Sequence, residues 1–217
     1  MEIFIDTANI DEIKKYSKFG IIDGVTTNPA LIAKEGKNFK DVLVEICDIV
    51  DGPISAEVVS TDTENMIREG RLINQLHKNI VVKLPSIPEG FEALNVLSSD
   101  GIKTNFTVVY TSNQALLAAK AGATFISPFV GRLDDIGADG MNLISEIVEI
   151  YSIFDYKTQV LAASIRGVQD VVDSAKFGAH VATIPPKILR DMYYHPLTDK
   201  GLDAFLSDWK KTGQSIL

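Results

Sequence analysis

The stretch Ile80-Val81-Val82-Lys83-Leu84-Pro85 places a lysine inside an otherwise apolar run. An ammonium buried without a partner costs several kcal/mol, so a chain keeps one inside a strand only when it is paired or when its chemistry is needed. Six other strand-like segments also end in a polar residue: Asp6, Asn28, Glu57, Thr107, Ser127 and Ser164. This pattern points to a barrel whose strands deliver polar groups to one mouth.

Working outward from Lys83, short β-rich runs alternate with longer helical patterns along the whole chain, as repeated βα units and a parallel sheet require. Strands are expected at IFID, GVTT, ISAEV, IVVKL, KTNFTVV, TFISP, QVLAAS and HVATI. Eight strands with helical segments between them fit a closed (β/α)8 TIM barrel of the α/β class better than an open doubly wound sheet. Residues 1–217 are read as one domain, with an amphipathic C-terminal helix at about 198–212 carrying Leu202, Phe205, Leu206 and Trp209 on one stripe. That stripe must be buried on the barrel or on a neighbouring subunit. Ser112 is expected to cap the helix SNQALLAAKA, with Gly122 ending it and Gly178 ending the helix before HVATI. The stretch GRLDDIGADG, residues 131–140, reads as one long connection.

Composition narrows the function. The 217 residues are 46% hydrophobic, enough for one sizeable core. A net charge of −8 argues against nucleic-acid or anionic-membrane partners, so an anionic substrate needs a locally basic pocket. No basic leader opens the chain and no apolar run approaches the roughly 18 residues of a membrane span, so a cytoplasmic location is expected. Cys47, the only cysteine, lies in LVEICDIV and reads as a core residue, which fits a reducing compartment. His77, His180 and His195 show no ligand spacing, so neither a metal nor a cofactor is expected.

Side chains alternate between the two faces of a strand, so parity sorts residues into barrel interior and helix layer. Ile80, Val82 and Leu84 suit the helix layer and turn Val81 and Lys83 inward. The same reasoning turns Phe4 and Asp6 inward against Ile3 and Ile5, Thr26 and Asn28 against Val25, and Ser55 and Glu57 against Ala56 and Val58. It sets Asn105 and Thr107 against Phe106 and Val108, and Ser164 against Leu161 and Ala163. Active sites of these barrels lie at the carboxyl ends of the strands, where these polar residues converge.

A lysine with a pKa of about 10.4 is a nucleophile at neutral pH only when desolvated or placed near another cation, and an apolar strand end offers that setting. The competing reading is a structural ion pair with Glu57 or Asp6. Two carboxylates beside one amine can divide the proton transfers of carbinolamine formation, dehydration and carbon–carbon cleavage. For Asp6 the alternative is a helix cap, because DTANIDE also reads as a helix start. Arg132 and Arg166 follow neighbouring strands; their guanidinium forks, with Ser164, suit a phosphate, and plain surface solvation is the alternative.

These residues resemble a known family, the short subfamily of transaldolases that also contains fructose 6-phosphate aldolases. The likeness covers nearly the whole chain, through IFIDTAN at the start, GVTTNP at 24–29, SAEV at 55–58, VVKLP at 81–85, TNFT at 104–107, ISPFVGR at 126–132 and ASIR at 163–166. It implies that Lys83 forms a Schiff base with a ketose phosphate and that Asp6 is the acid/base in breaking the bond between C3 and C4. It further implies that Glu57 and Thr107, with a bound water, move the carbinolamine protons. Asn28 and Asn105 would hold the dihydroxyacetone hydroxyls, Arg132, Ser164 and Arg166 the phosphate, and Thr26, Ser127 and Phe129 would complete the substrate site. A ring-shaped homo-oligomer, pentamer or decamer, with the final helix on a neighbour, is implied as well.

The branch that releases free dihydroxyacetone tends to carry glutamine, tyrosine and lysine where this chain has Glu57, Phe129 and Arg166. Phe129 has no hydroxyl to activate water, which favours transfer. The expected reaction moves a dihydroxyacetone unit from sedoheptulose 7-phosphate to glyceraldehyde 3-phosphate, giving erythrose 4-phosphate and fructose 6-phosphate, a pentose phosphate pathway step. A fructose 6-phosphate aldolase is the first alternative, kept open by the short chain. A catalytically silent sugar-phosphate-binding barrel is the second.

Overall fold

Eight parallel strands close into a barrel in chain order, with β8 pairing back onto β1. The computed structural model describes residues 1–217. The strands are β1 (Glu2–Asp6), β2 (Gly24–Thr26), β3 (Ile54–Glu57), β4 (Ile80–Pro85), β5 (Thr104–Val109), β6 (Phe125–Pro128), β7 (Gln159–Ala162) and β8 (Val181–Ile184). Between them run α1 (Ile10–Ser17), α2 (Pro29–Lys34) with α3 (Phe39–Ile49), α4 (Thr63–Asn74), α5 (Pro88–Ser99), α6 (Ser112–Lys120), α7 (Val130–Asp134) with α8 (Gly140–Ile153), and α9 (Val168–Lys176). Two helices follow the last strand, α10 (Pro186–Tyr193) and α11 (Pro196–Lys211). The chain is therefore a (β/α)8 TIM barrel. No helix is long and apolar enough to cross a membrane.

Parity divides the apolar residues into two cores. The larger lies between strands and helices and takes Ile5, Val25, Ile54, Ala56, Ile80, Val82, Leu84, Phe106, Ala182 and Ile184 from the outer strand faces. The smaller fills the barrel itself with Phe4, Val81, Phe125, Leu161, Ala163 and Val181. Inward residues of alternate strands stack in layers in such barrels, and here the layers change character with height. Val81, Phe125 and Val181, from even-numbered strands, lie low in the interior beside Phe4, where Gly24 leaves room: a Cβ there would sit 2.7 Å from the Phe4 ring. Two residues further along β2, β4, β6 and β8 stand Thr26, Lys83, Ser127 and Thr183. The apolar plug thus ends where the polar mouth begins.

The structure corrects several expectations. Residues 131–140 are not one open connection: α7 occupies the first half, and Asp134 Oδ1 accepts the Gly140 N–H at 2.9 Å where α8 begins. Thr111, not Ser112, caps α6, because its hydroxyl accepts the Gln114 N–H. The last helix starts earlier than the expected 198, with Pro196 in its first turn behind the His195 cap. On β7 the parity assignment fails: Leu161 and Ala163 point into the barrel. Ser164 reaches the mouth only because its backbone turns to φ 61 just after the strand. On β5 alternation breaks at Val108 (φ 59), and Val109 takes the helix-layer place expected of Val108. A β-branched residue in that region is strained by about 1–3 kcal/mol, and this one adjoins Thr107. The histidines serve as local acceptors, for the Asn79, Val160 and Leu197 amides. Cys47 is buried in the outer core, and burial pushes its thiol up to about 11.

Candidate active site

A cavity of about 370 Å³ opens at the carboxyl ends of the strands. Thr26, Lys83, Ser127 and Thr183 from the even-numbered strands line it together with Asp6 at the end of β1. Asn28, Phe129, Arg132, Ser164 and Arg166 from the following connections complete most of the wall. Nine of the twelve candidate residues therefore share one cavity: Asp6, Thr26, Asn28, Lys83, Ser127, Phe129, Arg132, Ser164 and Arg166.

Lys83 is the most enclosed charge, with its side chain only 7% exposed. Its Nζ lies 2.9 Å from Glu57 Oε2, the residue in register with it on β3, and donates to the Thr27 carbonyl at 3.3 Å. The ion pair expected of the structural reading is thus present. It also supplies what a nucleophilic amine needs, an adjacent carboxylate able to take its proton. Asp6 does not cap the first helix; Asn9 does, accepting the Glu12 N–H. Asp6 Oδ1 instead accepts the Thr26 hydroxyl at 2.8 Å. Burial pushes the Asp6 carboxyl above the ordinary range, opposed by the Thr26 hydrogen bond and the Lys83 charge.

Three candidates lie outside the cavity wall: Glu57, Asn105 and Thr107. Glu57 is held against Lys83. Asn105 is fully buried, donating to Ser55 Oγ at 3.1 Å and accepting from Ser127 Oγ at 2.8 Å. Thr107 Oγ1 is buried with no hydrogen-bond partner in the protein. Asn28 lines the cavity while its side-chain oxygen caps α2 through the Leu31 N–H; its amide nitrogen is left for a ligand.

The arginine side is built by close backbone approach. The Val130 and Gly131 amides donate to the Ala163 and Ser164 carbonyls, each at 3.1 Å, clamping the start of α7 onto the end of β7. A Cβ on Gly131 would meet the Ser164 oxygen at 2.2 Å and Arg166 Cγ at 2.6 Å, so only glycine fits. Arg132 stacks loosely on Phe129, 6.0 Å from the ring centroid, and Arg166 meets Asp135 at 3.0 Å on the exposed side.

Two polar wall residues escaped sequence reading. Lys34 projects from α2 one turn beyond Ala30, another wall residue; helical rather than strand parity would have found it. Thr183 lies on β8, where strict alternation in VATI sets it inward with Val181. With Lys34 counted, the wall holds four cations, Lys34, Lys83, Arg132 and Arg166, against one carboxylate, Asp6. In a chain of net charge −8 that is a local reversal suited to an anionic substrate.

Comparison with known proteins agrees with this geometry. The family model described as Transaldolase/Fructose-6-phosphate aldolase matches residues 3–216. A protein of Thermoanaerobacter sp. (strain X514), titled "Probable transaldolase", is 56% identical over 216 residues, covering 100% of both chains. Proteins with the same title from Caldicellulosiruptor saccharolyticus and Methanococcus maripaludis (strain C7) are 58% and 54% identical, each over 97% of this chain and 98% of their own. Among solved structures, thiamine phosphate pyrophosphorylase from Pyrococcus furiosus superposes with a TM-score of 0.60 over 88% of this chain and 93% of its own. At 13% identity that likeness concerns the fold alone. Fold, cavity and relatives together define a barrel enzyme of the aldolase type. The chain belongs to the transaldolase/fructose-6-phosphate aldolase family.

Two outcomes follow from the site. Because the folded protein holds the Asp6 proton more tightly than the unfolded chain does, ionised Asp6 subtracts from stability at neutral pH. That loss is recovered as pH falls through the folded-state value. Asp6→Asn is therefore expected to raise Tm at pH 7, with the advantage shrinking as pH falls through the folded-state value. An advantage that did not shrink would contradict the assignment. Gly131→Ala is expected to lower Tm by about 4 °C or more, because its Cβ would overlap the Ser164 carbonyl oxygen, and an unchanged Tm would contradict the clamp.

Proposed function

We propose that this chain is a cofactor-free transaldolase that moves a dihydroxyacetone unit between sugar phosphates through a Schiff base on Lys83. The observation that carries the reading is the Lys83 amine itself, enclosed at the wall of a cationic cavity with Glu57 2.9 Å away and Asp6 on the same wall. In this reading the donor is sedoheptulose 7-phosphate and the acceptor glyceraldehyde 3-phosphate, giving erythrose 4-phosphate and fructose 6-phosphate within the pentose phosphate pathway. A reducing cytoplasm suits such an enzyme with its one thiol buried.

The candidate residues divide the steps of that chemistry. Glu57 takes a proton from Lys83, and the freed amine attacks the ketose carbonyl carbon. Loss of water from the carbinolamine gives the imine, with Glu57 and the otherwise unsatisfied Thr107 hydroxyl holding the water that carries those protons. Asp6 removes the proton from the C4 hydroxyl, the C3–C4 bond breaks and the aldehyde leaves; burial raises the Asp6 carboxyl, which makes its carboxylate a stronger proton acceptor. Asn28 holds hydroxyls of the retained three-carbon unit. Asn105, tied between Ser55 and Ser127, supports this side through Ser127 at the wall. Arg132, Ser164 and Arg166 bind the phosphate, which displaces Arg166 from its exposed pairing with Asp135, worth only about 0–1 kcal/mol. Phe129 offers no hydroxyl to activate water, so the enamine waits for an aldehyde acceptor.

The final helix supports the expectation of a homo-oligomer. No residue of α11 is buried within the chain, and Leu202, Phe205, Leu206 and Trp209 are all exposed. A second copy of the chain is the proposed cover for this stripe.

Lys83→Ala is expected to reduce transfer from fructose 6-phosphate to an aldehyde acceptor by about a thousandfold or more in a coupled assay. Near wild-type transfer would contradict the mechanism. Free dihydroxyacetone appearing from fructose 6-phosphate at a comparable rate without acceptor would assign the aldolase reaction instead.

A further inference from the structure

Asp6 is served by a chain of hydroxyls rather than by one. Thr26 Oγ1 lies 2.8 Å from Asp6 Oδ1 and 2.5 Å from Thr183 Oγ1. Thr26 and Thr183 come from β2 and β8, the two neighbours of β1, so their side chains meet inside the barrel across the strand that carries Asp6. In register, Asp6 stands beside Thr26 and Phe4 beside Thr183, which sets both threonines just below the carboxylate. Both are almost wholly buried, at 2% and 3% exposure. Neither hydroxyl makes a further hydrogen bond within the protein.

A threonine hydroxyl has one proton and two acceptor sites. While Asp6 is ionised it can only accept, so the Thr26 proton points at Asp6 and the 2.5 Å contact must be filled by the Thr183 proton pointing at Thr26. We propose that Thr183 is a positioning residue for Asp6: by donating to Thr26 it commits the single Thr26 proton to the carboxylate and stabilises the ionised form that abstracts a proton. The inference rests on the proposed acid/base role of Asp6, and it deepens that role. No proton leaves the chain; Thr183 acts by polarising and orienting Thr26, and donors linked in series strengthen one another.

Other charges near Asp6 do not replace this effect. From β4, Lys83 lowers the carboxyl through its charge. Lys34, Arg132 and Arg166 belong to the same cavity, and Glu57 lies beside Lys83. From α10, packed on β1, Lys187, Arg190 and Asp191 do not line the cavity, and Arg190 is paired with Asp191 at 2.9 Å. Only the Thr183 hydroxyl reaches Asp6 through the one group bonded to it.

The test replaces Thr183 by valine, which keeps the shape, and separately by alanine and by serine. The Asp6 carboxyl is titrated in each protein by carbon-13 NMR of aspartate labelled at Cγ, with Asp6→Asn identifying the resonance. The expected result is a midpoint raised by roughly half a unit or more in the valine and alanine variants and returned towards wild type in the serine variant. The acidic limb of the pH–rate profile for transfer should move by the same amount. An unmoved midpoint in folded valine or alanine variants would overturn the inference. Titration needs no turnover, so a wild type that shows the shift on Thr183 replacement but no transfer would instead remove the proposed function and leave the hydroxyl chain standing.

Discussion

The site depends on one constraint: an ammonium enclosed at the top of an apolar barrel must have a partner. Removing a charge from water costs several kcal/mol even after relaxation, and attraction repays this only when geometry is good and the remaining protons are satisfied. Lys83 meets the condition with Glu57 at 2.9 Å and the Thr27 carbonyl at 3.3 Å, which leaves its third proton for the cavity. Glu57 is in register with Lys83 on the adjacent strand, so the pair is set by strand pairing and not by loop conformation. The pairing that makes burial tolerable is also what a proton acceptor for the amine would need. Structural and catalytic readings of Lys83 therefore describe one arrangement, and turnover is what separates them.

The rest of the mouth is a transition between two environments. Below, Phe4, Val81, Phe125, Leu161 and Val181 exclude water. Above, Thr26, Lys83, Ser127 and Thr183 present polar groups at one level, each braced by a neighbour: Thr26 by Asp6, Lys83 by Glu57, Ser127 by Asn105 and Thr183 by Thr26. Such bracing holds reactive groups in place without relying on loops. Arg132 and Arg166 join the wall from connections clamped together at Gly131. Charge at the wall opposes the charge of the whole chain, an arrangement that draws anions to the mouth rather than to the surface at large.

Much of this was legible in the sequence because strand periodicity is strict where both faces are packed. Alternation turned nine polar residues inward, and Asp6, Thr26, Asn28 and Lys83 are at the wall. Alternation failed where the backbone leaves the strand. Ser164 arrives through a positive-φ turn that no apolar pattern announces, and Val108 breaks the β5 repeat for the same reason. Lys34 was invisible because it reaches the cavity from a helix. Thr183 was missed because VATI is too short and apolar to mark one member for attention. The α11 stripe was visible, and the chain's own barrel leaves it exposed.

The most direct measurement is borohydride trapping with fructose 6-phosphate, followed by intact mass and peptide mapping. One adduct of dihydroxyacetone size is expected, carried by Lys83 and absent from Lys83→Ala. A folded protein that binds the sugar phosphate yet yields no adduct would contradict the Schiff base and return Lys83 to its role as half of a structural ion pair.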